Sequence, residues 1–134
     1  MQLPMSVLGY VVNMFNPLNY DIALDLPDDF PSHELETNTY TYTEDGSDRV
    51  QRGFTYRCRL IGILRRKYVS NQDEYHASAR MVTQRVARLN GWVLVRILGF
   101  DKYKRLLVEL VDFVSGTSIN NELRANKHLY TEYA

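Results

Sequence analysis

Apolar and polar residues alternate with period two along several short stretches of the chain, and a helical period replaces the alternation only twice. In Tyr20–Leu26, Ile22, Leu24 and Leu26 share one face while Asp21, Ala23 and Asp25 share the other, which predicts a half-buried strand. Ser6–Val12 reads as the strand before it, joined through the turn residues Asn16-Pro17-Leu18-Asn19. Residues 27–36 read as an acidic loop punctuated by Pro27 and Pro31. Next, Thr37-Asn38-Thr39-Tyr40-Thr41-Tyr42-Thr43 alternates small polar and aromatic residues, a strong β composition. With turn chemistry at Glu44-Asp45-Gly46-Ser47 and an apolar return from Val50, residues 37–64 are predicted to form one extended hairpin.

The period then changes. Asn71-Gln72-Asp73-Glu74 has the spacing of a capping-box variant, and Tyr75, Ala79, Val82, Val86 and Leu89 follow on one helical face. Arg80, Arg85 and Arg88 lie off that face and are expected to meet water. Asn90-Gly91 supplies residues tolerant of positive φ and ends the helix. Trp92–Leu98 and Arg105–Phe113 read as two further strands, and Ser118–Ala125 as a short helix. The last residues, to Ala134, are expected to form a helical tail. The order β-β-β-α-β-β-α suits one mainly β or α+β domain over residues 1–134: a five-stranded OB-type barrel with a helix at one end.

Charge changes the picture. The formal net charge is zero, yet residues 1–48 hold nine acids and neither Lys nor Arg, while residues 49–134 hold all sixteen basic residues and seven acids. Either the halves neutralise each other within one fold, or a bipolar surface steers a partner or another copy of the chain. The lone cysteine, Cys58, excludes an internal disulfide framework and fits a reducing compartment such as the cytoplasm. Its mid-strand position suits a buried structural thiol. The apolar stretch near the N-terminus lacks a preceding basic residue and does not read as a signal peptide; no run reaches membrane-spanning length. His33, His76 and His128 lack ligand spacing.

Four motifs add a resemblance. Asp101-Lys102-Tyr103-Lys104-Arg105-Leu106-Leu107 is similar to D-K-Y-G-R-x-L, and Arg59-Leu60-Ile61-Gly62-Ile63 to R-L-x-G-I. Ile119-Asn120-Asn121-Glu122-Leu123 is similar to V-N-x-x-L, and Asp21-Ile22 to D-T. Taken in this order, roughly over residues 6–129, they resemble the staphylococcal nuclease-like (thermonuclease) family of OB-folds. The resemblance implies a phosphate flanked by two arginines, matched by Arg59 and Arg105. It also implies two calcium-holding aspartates and a glutamate that activates water. Asp21 matches the first aspartate, but Leu64 stands at the second and Lys67 at the glutamate, with Arg66 at the preceding proline and Lys104 at the motif glycine.

Losing a ligand and the base together removes both routes to a strong nucleophile. Calcium wants six to eight oxygens, and Asp25, four residues along the strand and about 13 Å from Asp21, cannot complete a cage. Asp28 or Asp29 folding back would be the route to an active enzyme. The resemblance therefore implies a non-catalytic domain with no cofactor: a binding or structural subunit that contacts protein neighbours in an assembly. Since such domains occur in large DNA viruses as well as in bacteria and eukaryotes, a virion component is one form of that expectation.

Two alternatives stay open. One is a calcium-dependent nuclease with displaced carboxylates. The other is a single-stranded nucleic-acid binder using Arg57, Arg59, Arg65, Arg66, Lys67, Lys104 and Arg105 for the backbone. In that binder Tyr40, Tyr42, Tyr56 and Phe54 would stack bases. The plainer expectation pairs Arg59 with an acid such as Asp21 and Arg105 with turn carbonyls. It leaves the tyrosines to cross-strand packing or to docking a protein neighbour.

Overall fold

The computed structural model describes residues 2–43, 48–67 and 72–132. The turn expected at 44–47 and the Asn71 cap lie outside the described residues. The chain is mainly β. Strands β1 (Met5–Asn16), β2 (Asn19–Ala23), β3 (Thr37–Thr43), β4 (Val50–Leu60) and β5 (Ile63–Arg65) precede helix α1 (Gln72–Arg88). Strands β6 (Trp92–Phe100), β7 (Leu106–Asp112) and β8 (Thr117–Ser118), helix α2 (Ile119–Ala125) and strand β9 (Tyr130–Glu132) follow.

The large sheet runs β3-β4-β2-β1-β6-β7-β8, and β4 also pairs in parallel with β7 through Cys58–Leu60 and Leu106–Val108. That pairing closes β4, β2, β1, β6 and β7 into a barrel-like ring. Strands β3 and β7 occupy successive stretches of one edge of β4, with Thr37 opposite Tyr56 and Leu106 opposite Cys58. Strand β2 reaches only Tyr56–Arg59 of β4, so β3 with the first half of β4 extends as a two-stranded ribbon.

Alternation explains the interior. Val93, Val95 and Ile97 of β6 and Leu106, Val108 and Leu110 of β7 point inward and are buried, joined by Tyr20, Ile22, Cys58 and Leu60. The inward face of α1 meets this core through Val82, with Tyr75, Val86 and Leu89 partly buried around it. Helix α2 adds Ile119 and Leu123 and is capped by Ser118, whose hydroxyl accepts the Asn121 N–H. Asn120 is fully buried: its Oδ1 accepts the Leu110 N–H, and its Nδ2 donates to Val108 O at 3.1 Å and Ile61 O at 3.4 Å. The asparagine thus ties α2 to β7 and to the β4–β5 turn.

Two expectations are corrected. The terminal residues do not form a helix over their described part. Tyr130–Glu132 pair antiparallel with Ile63–Arg65, because this lets Leu129 and Tyr130 bury while the Tyr130 hydroxyl meets Ser78 Oγ at 2.7 Å. Arg85 is not on the water side. It bridges Asp112 Oδ2 at 3.2 Å and Glu122 Oε1 at 2.6 Å, locking α1 to the end of β7 and to α2. Asp112 also accepts the N–H groups of Val114 and Ser115. Burial works against its ionised form, but those hydrogen bonds and Arg85 outweigh it and hold the carboxyl below its ordinary range.

Candidate functional site

Strand register and one hydrogen bond bring Asp21, Arg57, Arg59 and Arg105 of the anticipated charged site together. Asp21 stands opposite Arg57 and Asn19 opposite Arg59 on the β2–β4 pair, so these four share a face. Arg105, entering β7, reaches Asn19 Oδ1 at 3.2 Å. The arginine that holds Asp21 is Arg57, at 2.9 Å, rather than Arg59. Arg57 also approaches Glu36 at 3.6 Å and lies over the Phe15 ring, 4.2 Å from its centroid. Arg59 is buried and donates to Leu60 O and Ile63 O, fixing the turn between β4 and β5. Arg105 is held by a carboxylate rather than by turn carbonyls: Asp101 Oδ2 lies 2.9 Å away.

Asp101 Oδ1 accepts from the Tyr103 and Arg105 N–H groups, and Lys104 sits at φ 66°. The motif that this turn resembles carries glycine at that position, and the left-handed backbone explains why a glycine suits it.

Leu64, Arg65, Arg66 and Lys67 leave the barrel exposed on and beyond β5. Arg65 stacks over the Tyr75 ring at 3.6 Å and donates to Gln72, while Arg66 donates to Lys127 O. Asp25, Asp28 and Asp29 do not join Asp21 in a cage: among the described residues no three His, Cys, Asp or Glu side chains group as metal ligands would. Cys58 is buried, and that burial, with the Asp21 carboxylate nearby, pushes its thiol far above the ordinary range.

Tyr40 and Tyr42 belong to a different place. They stack along β3 with centroids 5.5 Å apart, and they line an open groove of about 820 Å³ between the ribbon and the β1–β6 surface. Leu8, Tyr10, Asp25, Phe54, Tyr56 and Trp92 line it too. Tyr10 and Trp92 are register partners with rings edge-on at 5.4 Å. Two glycines seat the rings: a Cβ at Gly53 would come within 2.7 Å of Tyr40 Cε1, and one at Gly91 within 2.4 Å of Tyr10 Cε2. Phe54 remains 62% exposed and Leu8 50% exposed, large apolar surface left uncovered by the chain itself. Burial, then Tyr42, Tyr10 and Asp25, raise the Tyr40 hydroxyl above its ordinary pKa.

Among the described residues no lysine or arginine lines the groove. The basic and aromatic sets anticipated together from sequence are therefore separate. Tyr10, Trp92, Leu8 and the groove role of Asp25 were not anticipated; the signal available was the outward position of Leu8 and Tyr10 beside Val7 and Gly9 on β1. Comparison with known proteins returns no matching family model, no matching curated protein and no matching solved structure.

Proposed function

We propose that the chain is a non-catalytic binding module, a structural or adaptor subunit of a larger assembly, which contacts a protein neighbour through its aromatic groove. The groove carries this reading: preformed aromatic walls, open to solvent, with several large apolar side chains exposed. On this reading the scaffold is an OB-fold related to the staphylococcal nuclease-like domains. The five-strand ring with α1 inserted before β6 supports it, as does the left-handed Lys104 in the D-K-Y-x-R turn.

The charged face supports loss of cleavage rather than a waiting active site. Asp21 is committed to Arg57, and Arg105 to Asp101. Arg59 is spent on backbone carbonyls, and leucine and lysine stand where carboxylates would be needed. An electrostatic backbone binder is less well supported, since stacking rings and cations lie apart.

Incubation of single- and double-stranded DNA and RNA with the protein and excess calcium should give no cleavage beyond that of Arg105→Ala. Labelled oligonucleotides should show no salt-dependent retention, and in native extract the chain should migrate in a large complex from which Tyr42→Ser releases it. Calcium-dependent cleavage abolished by Arg105→Ala would overturn the reading.

A further inference from the structure

Resting on the groove as a docking surface, we propose that its occupant is a basic segment of a protein partner whose lysine side chain, most tightly in its quaternary trimethylated form, seats among Tyr10, Tyr40, Tyr42 and Trp92 beside Asp25. Three observations on the molecule converge on a cation. First, the walls are aromatic rings from separate strands, β1, β3 and β6, held by their own pairings and by close backbone approach at Gly53 and Gly91. Ring quadrupoles attract cations, and a quaternary ammonium gives up its weak hydration easily. Second, among the described residues Asp25, which is exposed, is the one carboxylate lining the groove, and no lysine or arginine lines it. An anion would meet repulsion there without a counter-charge.

Third, Asp25 and the two β3 rings come from the acidic part of the sequence. Asp25 belongs to the first 48 residues, which have nine acids and no Lys or Arg. The Asp25 carboxylate would therefore favour a cationic side chain entering the rings. The groove's roughly 820 Å³ lies within the usual range of ligand clefts and accepts more than one side chain, which suits a peptide rather than a free small cation.

Trp92 is the chain's single tryptophan, so its emission reports the groove alone. The full chain would be titrated with a short basic peptide carrying one trimethyl-lysine, with the same peptide unmodified, and with a version bearing a neutral tert-butyl isostere. A saturable emission change is expected, with the trimethylated peptide about tenfold tighter than the neutral isostere. Asp25→Asn and Tyr42→Leu should each weaken it several-fold without moving the thermal unfolding midpoint. Equal binding of the isostere, or binding of an oligosaccharide in preference to the peptides, would overturn the cation assignment while leaving the groove a docking surface. No saturable response to any peptide would also overturn it; nuclease activity, by contrast, would remove the underlying reading.

Discussion

Asn120 shows how one amide can hold a fold together. Its side chain satisfies one N–H and two carbonyls from β7 and the β4–β5 turn while having no access to water. Asn120→Ala strips the Leu110 N–H and the Ile61 carbonyl of this partner, while Val108 O keeps the Ile61 N–H, and chemical denaturation should show a loss of about 3 kcal/mol. Lys104 makes the opposite case. A lysine at φ 66° carries left-handed strain that glycine would not, so Lys104→Gly should raise stability by about 0.5 kcal/mol, after the greater freedom of glycine in the unfolded chain is subtracted. The motif V-N-x-x-L was visible in sequence; that its asparagine acts as a buried brace was not, because the partners come from segments 10 and 59 residues away.

At the scale of elements, Arg85 joins α1 to β7 and α2 through two carboxylates. Arg85→Ala should lower stability by about 2 kcal/mol in thermal or denaturant melts, since it strips charge-assisted bonds from the partly buried Asp112. The same contact sets a pH dependence. Asp112 titrates below its ordinary value in the folded chain, so its contribution is complete above the unfolded carboxylate pKa and fades as pH falls through the lower folded one. Melting curves of the parent and Asp112→Asn should differ at neutral pH and converge in that acid window. Strands β6 and β7 and helices α1 and α2 were legible because a buried face imposes its period directly on sequence. The choice of Arg57 over Arg59 for Asp21 was not. It depends on the cross-strand register of β2 with β4, and register is not encoded in either strand alone. Strand β9 escaped for a related reason: three residues are too few to show a period, and their pairing lies with β5, far back in the chain.

For the molecule as a whole, Cys58 serves as an internal probe. It is fully buried on β4, between β2 and β7, and its thiol resists ionisation. Labelling by a thiol reagent should therefore be negligible in native buffer and should track the global unfolding curve measured by Trp92 emission. Fast labelling under native conditions would mean that the ring opens locally at β4. The charge halves are also stitched across this region: Arg57 binds Asp21 and Glu36, while acids such as Asp25 and Asp28 stay exposed. Part of the sequence asymmetry is thus neutralised within the fold, while some acids of the first 48 residues remain exposed.

The parallel seam between Cys58–Leu60 and Leu106–Val108 also has a consequence for biosynthesis. A ribosome delivers the first of these segments well before the second, and at about 5–20 residues per second the interval is some seconds. Throughout it, Leu60 and its neighbours emerge without the strand that will sheathe them. The nascent chain is then a natural client for a chaperone that grips extended apolar segments, and slowing elongation between the two segments would lengthen its exposure to misassembly.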